Sequence, residues 1–129
     1  MGSGERGQKM VLVVDDYDEI RLVTRRALES FGYRVLEAAS GAEAVRVAQA
    51  ESPDLILLDL SMPNMDGFAT IHQLRRLLGL RDVPVIAISG HAAREVREDA
   101  LAAGCRDFII KPVPIERLRS VVERLLAAT

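Results

Sequence analysis

Met10-Val11-Leu12-Val13-Val14, closed by Asp15-Asp16, is apolar at five consecutive positions and then abruptly acidic. A run that does not alternate belongs to a strand buried on both faces, as in a parallel sheet covered by helices. Four more short runs follow it, at 34–37, 55–58, 85–88 and 108–110. Between the runs lie segments of helical period. The first spans about 18 to 31, where Ile20, Val23, Thr24, Ala27, Leu28 and Phe31 share one face and Arg21, Arg25 and Arg26 lie off it or at its edge. Gly32 supplies its stop. Others are expected at 42–50, between Ser40-Gly41 and Ser52-Pro53, and at 68–78, after the turn Pro63-Asn64-Met65-Asp66-Gly67. Two more are expected at 92–102, ending before Gly104, and at 115–127, opened by Pro114.

Strand and helix thus alternate five times. This predicts an α/β fold of the doubly wound (βα)5, flavodoxin-like kind: a five-stranded parallel sheet in the order 2-1-3-4-5, with helices on both faces and right-handed crossovers.

Bulk properties agree with one such domain. The 129 residues are 49% hydrophobic and 28% charged, proportions of a globular chain and not of a disordered or membrane one. That length buries about two-thirds of the unfolded surface, so no disulfide or structural metal is needed to fold it. The formal net charge of −2 argues against a nucleic-acid surface. Cys105 has no second cysteine to pair with, which reads as a reducing cytoplasm. Residues 1–8 lack an apolar signal core and read as a solvated tail or cloning remnant, leaving 9–127 as the domain. Gly2 to Gly7 matches G-x-G-x-x-G but precedes the first strand instead of following it, and Arg6 breaks the myristoylation pattern. With nothing beyond the last helix, the chain reads as a stand-alone unit in preference to a fragment.

In an open parallel sheet, ligands bind beyond the carboxyl ends of the strands, where the strand order reverses. Here that crevice lies between the first and third strands, which end in Asp15-Asp16 and Asp59. Helix capping accounts for an acid such as Asp18 or Asp66. It does not account for Asp59, which closes an apolar strand well before the next helix. Three carboxylates in one crevice repel, each close pair by about 4 kcal/mol at ~4 Å and an effective dielectric of ~20. The site therefore demands positive charge. Oxygen-only ligands suit Mg²⁺ better than zinc, which favours His or Cys. Lys111, at the end of the fifth run, is a second source. Ser89-Gly90, ending the fourth, adds a hydroxyl and a backbone that permits close approach.

These residues resemble the receiver domains of two-component response regulators, CheY-like proteins. The match runs from Lys9 to about Leu126. It reads Val14-Asp15-Asp16, Leu58-Asp59-Leu60-Ser61-Met62-Pro63-Asn64-Met65-Asp66-Gly67, Ile88-Ser89-Gly90, Gly104 and Phe108-Ile109-Ile110-Lys111-Pro112. The resemblance implies that Asp59 accepts a phosphoryl group from a phosphohistidine. Asp16, Asp59 and the main-chain carbonyl of Ser61 would ligate Mg²⁺ directly (Mn²⁺ could substitute), with Asp15 acting largely through metal-bound water. Lys111 would pair with a phosphoryl oxygen, and Lys111-Pro112 would be cis. Ser89 would be the switch hydroxyl and Phe108 the aromatic switch, turning inward as the hydroxyl moves. Phe108 lacks the phenol oxygen that many members carry. Ser61 and His91 stand at the two positions that tune phosphoryl lifetime.

The implied partners are a histidine kinase or histidine phosphotransfer protein upstream, and an unknown protein downstream. The output surface would be the fourth helix, fifth strand and fifth helix, with mixed charged faces: Arg94, Glu95, Arg97 and Glu98 on the fourth helix, and Glu116, Arg117, Arg119, Glu123 and Arg124 on the fifth. Neither nucleic acid nor membrane is expected as a direct partner. The protein would not be an enzyme, since it catalyses only its own phosphoryl transfer and slow autodephosphorylation. Leu22, opposite the first helix's apolar stripe, could help a kinase dock, whereas His72 reads as a surface residue. Three rivals fit less well, and one of them, a degenerate receiver acting only as an interaction module, is disfavoured because every chemical position is filled. A haloacid dehalogenase-type phosphatase needs a second carboxylate two residues after the nucleophile, where Ser61 stands. A flavodoxin-like flavin phosphate site needs a Ser/Thr/Gly-rich first loop, where Asp15-Asp16-Tyr17-Asp18-Glu19 would repel phosphate.

Overall fold

The computed structural model describes residues 7–62, 67–77, 82–90 and 94–127. Its elements are β1 (Met10–Val14), α1 (Asp18–Ser30), β2 (Arg34–Ala38), α2 (Gly41–Glu51), β3 (Leu55–Asp59), α3 (Gly67–Arg76), β4 (Val85–Ser89), α4 (Arg94–Ala102), β5 (Asp107–Ile110) and α5 (Ile115–Ala127). The strands pair in parallel in the order β2-β1-β3-β4-β5, as the alternation predicts.

Alternate strand residues feed two separate cores, which explains the unbroken apolar runs. Leu12, Val14, Ile56, Leu58, Ala87 and Phe108 point to one face and pack with Ala44, Ala48, Ile71, Leu74 and Ala100 of α2, α3 and α4. Val11, Val13, Leu55, Leu57, Ile86 and Ile109 point to the other and pack with Leu28 of α1 and Leu118, Val121, Val122 and Leu125 of α5. Both faces of the sheet are dry.

Three strand ends differ from the apolar runs because polar residues still pair there: β3 and β4 each continue one residue further and β5 starts one earlier, while β2 gains the apolar Ala38, opposite Val14 of β1. Asp59 sits opposite Ile88, Ser89 opposite Ile110, and Asp107 opposite Ile86.

Helix ends follow local chemistry. After α1, Gly32 takes φ +99°; its N–H donates to the Glu29 carbonyl, and the Tyr33 N–H donates to that of Leu28. That pair of bonds is a Schellman stop. Ser40 caps α2, its Oγ accepting from the Glu43 N–H at 3.1 Å while Glu43 accepts from the Ala39 N–H. Asp18 is not a cap, contrary to expectation. It is the first residue of α1, Tyr17 occupies the cap position without a side-chain bond, and the Asp18 carboxylate pairs with Arg21. Asp66, the other expected cap, lies outside the described residues, as do the expected end of α3 at 78 and start of α4 at 92.

The apolar face expected along α1 is covered only in its second half. Leu28 is buried, but Ile20 and Val23 are 45% and 61% exposed. Helical period groups these residues correctly. The α5 side meets the helix only further along, so the first turns stand beside a cleft. Among the described residues, no helix is long and apolar enough to cross a membrane.

Leu57, at 1% exposure between Val13 and Ile86, tests the second core. Leu57→Ala should cost about 2–5 kcal/mol, read as a lower urea midpoint at unchanged slope.

Candidate functional site

Asp15 and Asp16 leave the carboxyl end of β1, and Asp59 is the last residue of the adjacent β3. Parallel pairing makes both strands end on the same rim. One carboxylate oxygen from each residue lies within 4.8 Å of the others. Asp15 and Asp59 are 6% and 3% exposed, whereas Asp16 faces solvent.

Lys111, just past β5, reaches across the rim. Its Nζ donates to Asp59 Oδ2 at 2.7 Å, and the Ser61 N–H donates to Asp59 Oδ1 at 2.7 Å. The Tyr17 N–H likewise donates to Asp15 Oδ1 at 2.9 Å. Three carboxylates against one ammonium leave an excess of negative charge. The effect is visible at Asp15, whose pKa is raised. Burial is the largest cause, and the charges of Asp59 and Asp16 add to it; the Tyr17 N–H and Lys111 oppose it. Every candidate ligand is an oxygen, a donor set that fits a hard divalent cation and offers nothing to a soft one.

Backbone bonds tie the neighbouring loops together. The Lys111 N–H donates to the Ser89 carbonyl at 2.8 Å, and the Gly90 N–H donates to Ser61 Oγ at 3.1 Å. Ser89 is 1% exposed at the end of β4. Phe108 is 2% exposed and packed in the first core, so its ring already lies inward. Lacking a hydroxyl, that ring buries no polar atom. The Lys111-Pro112 peptide is cis. His72 is exposed and Leu22 is 39% exposed. His91 lies outside the described residues.

Beside the pocket, between α1 and the segment entering α5, runs a cleft of about 620 Å³. Ile20, Val23, Pro112, Val113 and Ile115 line it, and Asp15 and Lys111 stand at its end.

Arg21 is the residue that sequence reasoning missed. Helical period puts it off the apolar stripe or at its edge, yet its side chain is only 15% exposed and bonds the loop carrying Asp15 and Asp16. The available signal was its position three residues after Asp18, an ion-pair spacing on a helix.

The raised pKa of Asp15 has a signed consequence. A carboxyl whose pKa rises on folding favours the fold below the usual carboxylate range, and that support is lost as pH climbs through its folded value. With a chelator present, Asp15→Asn should therefore raise the melting temperature at pH 7, and the gain should vanish near pH ~3, where aspartate protonates anyway.

Comparison with known proteins agrees with this geometry. The family model described as response regulator receiver domain matches residues 11–123. An uncharacterised 14.6 kDa protein of Leptolyngbya boryana is 39% identical over 121 residues, covering 93% of this chain and 92% of that protein. The transcriptional regulatory protein PrrA of Mycobacterium bovis is 38% identical over 116 residues, 90% of this chain but 49% of its own length. The probable transcriptional regulator ycf27 of Cyanophora paradoxa is 34% identical, again across 51% of its length. The chain thus spans about half of these two regulators. Among solved structures, the chemotaxis protein CheY4 of Vibrio cholerae superposes with a TM-score of 0.88 at 30% identity, covering 92% of this chain and 99% of that one. The receiver domain of a Pseudomonas aeruginosa sensor histidine kinase, which holds a magnesium ion in its active site cleft, gives 0.85 at 33% identity, covering 94% and 99%.

Proposed function

This chain belongs to the response regulator receiver domain family, and we propose that residues 9–127 accept a phosphoryl group on Asp59, from a phosphohistidine, and signal by changing shape. The supporting observation is the Asp59 carboxylate, 3% exposed, bonded by Lys111 Nζ at 2.7 Å and gathered with Asp15 and Asp16. Receiver domains of response regulators partner with histidine kinases. The cleft beside the pocket, apolar along its length and ending at Asp15 and Lys111, suits a helix that presents such a phosphohistidine.

Asp16, Asp59 and the main-chain carbonyl of Ser61 would hold Mg²⁺, or Mn²⁺ in its place, with Asp15 joining through water. Bound there, the ion would supply charge compensation for the equatorial phosphoryl oxygens. The chain's own residues do the rest. An Asp59 oxygen attacks phosphorus in line; the O–P bond forms as the P–N bond to the donor imidazole breaks, and the histidine leaves. The Lys111 ammonium passes from Asp59 to a phosphoryl oxygen. The product carries up to two negative charges at a rim already short of positive charge. Ser89, at the end of β4, offers its hydroxyl to a second phosphoryl oxygen, and the Lys111 N–H bond to the Ser89 carbonyl, with the Gly90 N–H bond to Ser61 Oγ, carries the adjustment into the flanking loops. Ser61 and His91 would set how long the acyl phosphate lasts.

The output surface in this reading is α4, β5 and α5. Ile110 and Leu101 are 43% and 39% exposed there, among helices rich in charge. A protein target suits that surface and the net charge of −2 better than nucleic acid does. The activity is self-modification, not turnover of a substrate, and a phosphohistidine donor places the domain in the cytoplasm.

Incubation with phosphoramidate and Mg²⁺, followed by intact mass, tests the reading. The wild-type chain should gain one phosphoryl group, and Asp59→Asn should gain none; an equal gain in the mutant would remove Asp59 from its role. A phosphatase would instead release phosphate continuously without holding the adduct.

A further inference from the structure

We propose that Arg21 is a positioning residue for the acidic pocket: its guanidinium fixes the Asp15–Asp16 peptide and so determines where the Asp16 carboxylate stands. This rests on the receiver reading in one respect, that a divalent cation binds at Asp16.

Arg21 uses three separate nitrogens. Nη1 donates to the Asp15 carbonyl oxygen at 2.7 Å, Nη2 to Asp18 Oδ1 at 2.7 Å, and Nε to Glu37 Oε1 at 2.9 Å. The Asp15 carbonyl belongs to the peptide plane that joins the two acids. Turning that plane swings the Cα of Asp16 and everything attached to it. On the other side, the Asp15 N–H donates to the Ala38 carbonyl of β2 at 3.1 Å. Asp15 is thereby pinned at both of its backbone polar groups.

Asp16 needs such support. Its side chain is exposed, and among the described residues no N–H or hydroxyl donates to its carboxylate. Its position therefore depends on the backbone that carries it. Glu37 makes the brace stiff, because its second oxygen accepts from Arg25 Nη1 at 2.8 Å and its strand pairs with Val13 of β1. Loop, α1 and β2 are locked together through one planar group.

The brace works through geometry, not as a counter-charge to the pocket. Asp18 and Glu37 answer the Arg21 charge where it sits. A lysine would keep that charge but present a single flexible point in place of a three-way fork.

Calorimetric Mg²⁺ titration of the full chain, with unfolding midpoints alongside, tests this in Arg21→Lys, Arg21→Gln and Arg25→Ala. Outer-sphere support of this kind commonly carries a 10–100-fold effect on metal affinity. Both Arg21 variants should weaken Mg²⁺ binding by about that factor, lysine included. Arg25→Ala removes a Glu37 ion pair but no bond to Asp15, and should stay within about twofold of wild type. The proposal is overturned if folded Arg21→Lys binds Mg²⁺ like wild type, or if Arg25→Ala loses as much affinity. It is equally overturned if neither Arg21 variant folds, since the residue then serves the whole fold and not the pocket. Absence of Mg²⁺ binding in the wild type would instead remove the receiver reading, and this inference with it.

Discussion

The contact between Lys111 and Asp59 is what the rest of the pocket depends on. Asp59 is 3% exposed at the end of a central strand, with Asp15 nearly as buried beside it. A buried carboxylate without a partner is costly, and a second one alongside makes it more so. The ammonium at 2.7 Å answers one of these charges and leaves the others in excess. In the proposed reading that residual imbalance would give the rim an affinity for a hard cation. A fully neutralised pocket would have no such affinity, and one without Lys111 would strain the end of the sheet.

Parallel topology makes the crowding possible. β1 and β3 lie side by side and finish on one rim although over forty positions separate Val14 from Asp59 in sequence. Two dry cores hold the five strands in register, so the rim residues inherit their positions from packing far below them. Polar groups at the strand ends complete the arrangement through the Ser61, Ser89 and Gly90 backbone bonds.

The strand interiors and their order were legible in the sequence, because burial on both faces leaves runs such as Leu55 to Leu58 without alternation. Their ends were not, since Asp59 and Ser89 pair in the sheet while reading as polar loop. Helical period grouped Ile20, Val23 and Leu28 correctly, but no periodicity reports whether a neighbour covers them. The gathering of Asp15, Asp16, Asp59 and Lys111 followed from topology alone. Arg21 did not, because its acceptors come from three places: a main-chain carbonyl, its own helix, and Glu37 on another strand. A backbone acceptor leaves no mark on residue type, and the pairing with β2 is known only once the chain is folded.

Cys105 is the chain's one thiol, packed in the core at 6% exposure. Burial pushes its pKa to about 12, although Arg75 stands near enough to oppose the rise. The Arg75 guanidinium turns its N–H groups to the carbonyls of Val83 and Gly104. Thiolate is the form that reacts with peroxide or a disulfide, and at neutral pH this sulfur holds almost none of it. Peroxide should therefore leave this thiol untouched, and in the proposed reading cysteine oxidation would not compete with a phosphoryl signal.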